Sequence, residues 1–526
     1  MRGVRILTVA SLVTACLPAA AHAAGTYFVD AASAGGPCSD SRPAVQAASL
    51  RTPWCSLPRA IRAVPSGSTV LVRGGSHPKL SLRGDNRRSS MVTLRRFGAE
   101  TVRLDGIELE ATSLLRLEGF TFSDAGVLRD GVSRVAIVGN DFAGQPLWLD
   151  DTSGVLVERN HIHDIPASAS AKIGIRLMRD RGTVVRANRI ENVVDDPIQV
   201  TDVAGVLLEG NVLLGAHPAG REHVDCIQVL GAAGLTIRGN HIRDVEHCLM
   251  FTDFQASGVT IENNVIADVE GTAMKADGTH GMPNLRLLNN TFHAAGHGVD
   301  LRIGHPGAVV ANNIFDKVSS LGDQPVATHN LVARARRGSD YGDHAILSAP
   351  AFTDRWTLEL APGSAGIDAG TSAYGPATDL LGRPRANDPQ VGDTGAGPTP
   401  YADVGALERT LPRPAVAPGP AQRRSERRRR ARLLVPRRLR VRSVRRSGIR
   451  VRVRTRASVR RVSLSLRRRG ADRRVARAVG RARRGRATLR LRPRRVRPRR
   501  YVITARLRDR TGRRVARTSV RVRLVR

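Results

Sequence analysis

Lysine is almost missing from this chain: four residues (79, 172, 275 and 317) stand against 80 arginines. Surface cations are written as arginine here, so Lys275, in the middle of the outward column read below, suggests that a titratable amine is wanted there. Aromatic residues make up 3% of the 526 positions, which excludes a chain built to stack nucleobases along its length. Past the first 23 residues no stretch approaches the roughly 18–20 apolar residues needed to cross a bilayer, so no transmembrane segment is expected. The five cysteines contain no C-x-x-C pair, which argues against a structural zinc site. Helix-length runs with a 3.6-residue apolar period are missing between the repeats of the middle region, which excludes a helical solenoid.

What is present is unevenly distributed. Residues 421–526 hold 45 arginines, no lysine and three acids (Glu426, Asp472 and Asp509), a net +42, so the other 420 residues sum to −4 within the total of +38. The chain is a near-neutral body with an intensely basic end. At its start, Arg2 and Arg5 precede the apolar run Ile6–Leu17 and the small-residue site Ala21-His22-Ala23. That pattern predicts a secretory signal peptide over residues 1–23, and a secreted or wall-associated protein; the rival reading is lipid attachment at Cys16. Cys38 and Cys55, 17 apart in a Gly/Pro/Ser-rich stretch, are expected to pair in an oxidising compartment.

The middle of the chain repeats. Alternating aliphatics, a short gap, Asn and another apolar residue recur as RVAIVGNDF, GVLVERNHI, GTVVRANRI, GVLLEGNVL, GLTIRGNHI, GVTIENNVI, NLRLLNNTF and GAVVANNIF, with Asn140, Asn160, Asn188, Asn211, Asn240, Asn264, Asn290 and Asn313. SLLRLEGFTF (113–122) reads as the same unit, with Gly119 in the Asn place. Period-two alternation means strands, and a variable spacing of 20–29 means stacked coils with insertions confined to loops. The repeated Asn residues are expected to bond one another along an internal ladder, as fold and not chemistry.

These repeats resemble the right-handed parallel β-helix of the pectate-lyase-like superfamily. TYFVD…PWCSLPRAIRAVPSGSTVLVRGGSH (26–77) is similar to the N-terminal cap of secreted bacterial members, and LAPGSAGIDAG…DLLGRPR…DVGALE (360–408) to the segment closing many such helices. The resemblance implies an all-β fold: a cap and first coils over residues 24–100, coils over 101–330 and a closing segment over 331–410. It is specific for fold and unspecific for activity, since the superfamily includes lyases, hydrolases, epimerases and non-catalytic adhesins.

Registering the coils on the strand upstream of each Asn gives an outward column Trp148, Arg176, Gln199, Gln228, Met250, Lys275, Asp300. The column before it reads Gln145, Ile173, Asp196, Asp225, His247, Thr272, His297. This brings Asp195, Asp196 and Asp225 together, with His223, His247, His297, Lys275 and Arg302 near them. Three converging carboxylates repel unless a cation or a shared proton relieves them, and Ca²⁺ suits oxygen donors. Trp148, Arg176, Gln199, Gln228 and His223 are the candidate contacts to a sugar chain. Cys226 and Cys248 hold the same rank on adjacent coils, either as a bridge between coils or as two stacked thiols.

The leading expectation is β-elimination on a uronic-acid polysaccharide. Lys275 would be the base, Ca²⁺ on the three Asp residues or Arg302 would neutralise the uronate, and His247 or His297 would assist the leaving group. The stripe looks like the Lys- or Arg-plus-calcium arrangement of several lyases of the superfamily, though no complete lyase signature is present. VDD (194–196), HVD (223–225) and GHG (296–298) resemble fragments of the polygalacturonase pattern, so an Asp-pair glycoside hydrolase is the alternative; a non-catalytic glycan- or wall-binding protein is the third reading.

Residues 411–436 read as a Pro/Arg-rich linker. Residues 437–526 alternate aliphatic and Arg, with a turn at Asp509-Arg510-Thr511-Gly512, which predicts a small antiparallel β-sandwich. It resembles in pattern the immunoglobulin-like modules of exported bacterial enzymes. Its charge predicts salt-sensitive binding to an acidic polysaccharide or anionic cell-wall polymer, not to nucleic acid, since Tyr501 is its one aromatic. A monomer is expected.

Overall fold

The computed structural model describes residues 24–410 and 432–525, apart from 170, 221–222, 252–254, 277–280, 303, 322–323, 335–340, 437, 456–458, 469–473, 484–485, 494–495 and 509–513. The leader read at 1–23 with Cys16, most of the linker and the turn at 509–512 lie outside the described residues. The chain divides at 411/412 into two compact units.

The first unit is a parallel β-helix, as the repeats predict. A 13-stranded parallel sheet runs from Thr26–Val29 to Val326–Thr328. Two further parallel ladders join where Ile314–Ser320 pairs with both Thr291–Ala295 and Gly298–Asp300. Period-two alternation decides which side chains go inward. Leu82, Leu109, Leu128, Leu149, Leu177, Val200, Val229 and Phe251 are paired coil to coil and form one buried column. Every strand of the column after the first is hydrogen-bonded on both sides, so stability is shared between neighbours and grows with each coil.

The turns are held by the expected ladder. Asn160 Oδ1 accepts the Asn140 N–H at 3.0 Å and its Nδ2 at 3.1 Å, and the pattern repeats through Asn188, Asn211, Asn240, Asn264, Asn290 and Asn313. It extends one step further than the repeats suggested, to Asn330. At the other end Gly119 is not in the Asn place: Val138 pairs with Glu118, so Phe120 aligns with Asn140 and its N–H donates to Asn140 Oδ1 at 2.9 Å. Phe120 has no amide to continue the ladder and instead packs edge-on against Phe122, which stacks on Phe142.

A cap covers the first coils. Ser56 Oγ accepts the Arg59 N–H at the start of helix Leu57–Ala63, and Trp54 is fully buried against Tyr27. Cys38 and Cys55 are bridged, with Cα atoms 5.0 Å apart, as expected. Cys226 and Cys248 are bridged as well, which decides between the two readings left open for them. The closing segment packs on the flank of the last coils: Asn312 Nδ2 donates to Thr371 O at 2.7 Å, and Asn289 Nδ2 donates to Asp403 O at 3.3 Å.

The second unit has a three-stranded and a five-stranded sheet around one apolar core that includes Val451, Leu464, Ile503 and Leu524. In Ile449–Arg454 every aliphatic is buried and every Arg exposed, as the alternation requires. Neighbouring strands are antiparallel except Arg438–Arg440, which lies parallel to Arg514–Val525. The first strand, Arg432–Leu434, falls inside the range read as linker. Among the described residues no helix is long and apolar enough to cross a membrane.

Candidate functional site

The outward column lies in the register that the sequence suggested. Trp148 pairs with Arg176, Arg176 with Gln199, Gln199 with Gln228, Gln228 with Met250, Met250 with Lys275 and Lys275 with Asp300. Stacked strands are about 4.8 Å apart, so Trp148 and Lys275, five steps apart, mark a stripe about 24 Å long. The second column holds for Asp225 and His247, which are directly paired. It fails at its end: Thr272 pairs with Gly298, not His297, because the register shifts before Met274.

Asp195, Asp196 and Asp225 are linked through backbone N–H groups. Asp196 Oδ1 accepts the Asp225 N–H at 2.8 Å, and Asp195 Oδ1 accepts the Asp196 N–H at 2.9 Å. Gln199 Nε2 donates to Gln228 Oε1 at 2.5 Å and to Asp196 Oδ2 at 3.3 Å, so the two glutamines and Asp196 form one network. Asp196 is 4% exposed and Asp225 1%, and Asp225 Oδ1 is buried without a hydrogen-bond partner. Burial, aggravated by the charges of Asp225 and Asp195, pushes Asp196 up to about 8. Burial likewise raises Asp225 to about 6, with His223 and Lys275 pulling it down and Glu246 and Asp195 pushing it up. Asp225 Oδ1 is thus an orphaned buried oxygen beside two more carboxylates, and oxygen donors suit Ca²⁺, but among the described residues the three carboxylates do not offer donor atoms all within 4.8 Å of one another.

The basic groups surround this cluster. His223 Nε2 is 3.8 Å from Asp225 Oδ2, and its exposed ring stands edge-on to His247 at 6.2 Å. His247 Nδ1 accepts the Thr272 N–H at 3.0 Å, which fixes the neutral ring as the Nε2–H tautomer. Burial holds His247 below its ordinary value, and the nearby His223, His297 and Lys275 add to that. Room for the ring comes from Gly271, where a Cβ would stand 2.4 Å from His247 Cε1. Lys275, half-buried, lies two coil steps from Gln228, about 10 Å along the column.

Arg302 stands apart from the cluster. It is engaged by Asp300, Nε to Oδ2 at 2.9 Å, so its charge is already balanced. Arg176 lies inside the stripe, between Trp148 and Gln199. The glycines of GHG serve packing: a Cβ at Gly296 would fall 2.0 Å from Glu270 O, and one at Gly298 2.1 Å from Lys317 O. Between them His297 is exposed. Glu246 was not anticipated; its Oε2 accepts the Val224 N–H at 2.8 Å and braces the Asp225 strand. Its place just before His247, opposite Val224-Asp225, was the available signal. The bridge between Cys226 and Cys248 lies beside the Asp225–His247 pair and ties their coils together.

The family described as right handed beta helix region matches residues 105–220 and 220–315. Solved structures similar to this chain include a rhamnogalacturonan lyase, at 12% identity over 55% of this chain and 87% of that one, TM-score 0.34. A pectate lyase matches at 11% identity over 74% of this chain and 98% of that one, TM-score 0.37. The A-module of a mannuronan C-5 epimerase from Azotobacter vinelandii matches at 14% identity over 60% and 97%, TM-score 0.28. No curated protein matches the sequence.

Proposed function

We propose that the outward stripe from Trp148 to Lys275 binds an acidic polysaccharide and cleaves it by β-elimination. The observation that supports this most is the company of Lys275, one of four lysines, in register with Arg176, Gln199 and Gln228 and electrostatically coupled to Asp225 and His247. Lys275 takes the C5 proton of a uronate, the C4–O glycosidic bond breaks, a C4–C5 double bond forms, and the departing oxygen takes a proton from exposed His297 or from water. His247, held neutral with its Nε2–H free of the Thr272 bond, donates a hydrogen bond to the sugar. Gln199 and Gln228 orient the chain, Arg176 meets a carboxylate, and Trp148 offers a ring face at the far end. Drawn together around an ion, Asp195, Asp196 and Asp225 would hold Ca²⁺, which would supply charge neutralisation at the reacting uronate.

A second reading rests on the split between Asp196, near 8, and Asp225, near 6. Two carboxyls pushed apart in this way suit an acid and a base, the arrangement of an inverting glycoside hydrolase. Product chemistry separates the two: elimination gives an unsaturated end lighter by one water than the hydrolytic product. Uronic-acid oligomers incubated with the protein and analysed by mass should show the lighter product; the heavier one alone would replace the lyase with the hydrolase, and intact oligomers would leave a glycan-binding protein. We place the protein outside the cell, consistent with its two disulfides. Its basic, immunoglobulin-like second unit would hold it on anionic polymer.

A further inference from the structure

A second set of donors lies on a different ladder of the β-helix. Strands Asp141–Ala143, His161–Ile165 and Arg189–Val193 pair in register, Asp141 with His161 with Arg189 and Ala143 with His163 with Glu191. Period-two alternation puts His161 and His163 on the outer face of one strand, their rings stacked at 4.0 Å. Asp141 Oδ1 stands 3.1 Å from His163 Nε2 and 3.5 Å from His161 Nδ1. Among the described residues, this is the one group of three such donors within 4.8 Å of one another.

Two of the three donor separations match a metal site. Ligands held about 2.0–2.1 Å from a tetrahedral ion lie about 3.3–3.4 Å from each other, and the two observed separations bracket that value. The outer nitrogens are also provided for. His161 Nε2 is 2.7 Å from Glu191 Oε1, and His163 Nδ1 is 2.7 Å from Asp164 Oδ2. Those carboxylates are themselves anchored, Glu191 by Arg189 and Asp164 by the Asn192 amide at 2.8 Å. A carboxylate behind each imidazole fixes which nitrogen faces inward and strengthens it as a ligand. Two nitrogens and one oxygen suit a borderline ion, whereas Ca²⁺ takes oxygens only. The group faces solvent, so a fourth position is open to water.

We infer that Asp141, His161 and His163 bind one Zn²⁺, with Glu191 and Asp164 as positioning residues, separately from the proposed polysaccharide stripe. The test uses untagged protein dialysed against a chelator and titrated with Co²⁺, read by the visible absorption of the tetrahedral ion. One equivalent should bind and be displaced by Zn²⁺. His161→Ala/His163→Ala should abolish the signal, and Asp164→Asn should weaken affinity about 10–100-fold without removing a ligand. Lys275→Ala should leave it unchanged. Should the alanine pair fail to fold by circular dichroism, His161→Gln/His163→Gln keeps bulk and polarity and must still lose the ion. Wild-type protein that gives no signal, or a double variant that binds as wild type does, overturns the site.

Discussion

Asp196 and Asp225 sit on adjacent coils with almost no exposure, and the folded chain holds their protons more tightly than an unfolded one would. Asp196 moves from 3.8 to about 8 and Asp225 from 3.8 to about 6. Between those limits the folded state carries more protons than the unfolded state, so stability falls as pH rises. Asp196→Asn keeps the acceptor for the Asp225 N–H and removes one ionisation. Its melting temperature should therefore fall less than that of the wild type between about pH 5 and about pH 8; equal falls would refute the assignment. Ca²⁺ should offset the same loss, raising the wild-type melting temperature more at the higher pH. Lys275→Ala should lower cleavage at least about 100-fold with melting unchanged, and Lys275→Arg should not rescue it, because arginine keeps its proton. At this scale the sequence carried the columns, since outward identity follows from alternation. It did not carry burial: nothing in the string VDD tells that Asp196 is enclosed while Asp195 stays half-open. Nor did it reveal that Arg302 is engaged by Asp300, which needs a side-chain direction and not a register.

The repeating element is a strand, a turn and an Asn whose amide is bonded on both sides. Asn211 Oδ1 accepts from the Asn188 backbone and side chain, and its Nδ2 donates to Val185 O and Asn240 Oδ1. Asn211→Ala strands several buried groups at once and should cost about 3 kcal/mol in denaturant unfolding, against less than about 0.5 for exposed Asn387→Ala. The bridge between Cys226 and Cys248 closes a short loop between coils; replacing both with alanine should cost about 3 kcal/mol and loosen the Asp225–His247 pair. The ladder was legible because Asn recurs at one place in every coil. Its ends were not. Phe120 was hidden behind Gly119, because a glycine is read as a turn whereas the hydrogen-bond register is set by the strand pairing upstream. The histidines of NHIHD were passed over as ordinary members of a repeat, although H-x-H on a strand puts both rings on one face.

At the scale of the molecule, a long β-helix and a small basic unit divide the work. The first concentrates acidic, amide and basic side chains on one stripe; the second spends its aliphatics on its own core and turns arginine outward. The charge asymmetry that separates them is plain in composition, as is the fold, because coil length, alternation and the Asn period all agree. Binding of the whole chain to an anionic polymer should weaken steeply with added salt, since exposed charges are screened within about 10 Å at 0.1 M ionic strength; salt-independent retention would remove the electrostatic role of the second unit. Activity is less legible, since it depends on which groups meet across coils and on what they enclose. The most direct measurement is ultraviolet absorbance of the unsaturated uronate during incubation with uronic-acid polymers, with Ca²⁺ and with chelator. A rise that the chelator suppresses and Lys275→Ala abolishes is the predicted result; a flat trace accompanied by new reducing ends, or a rise that Lys275→Ala leaves intact, would contradict it.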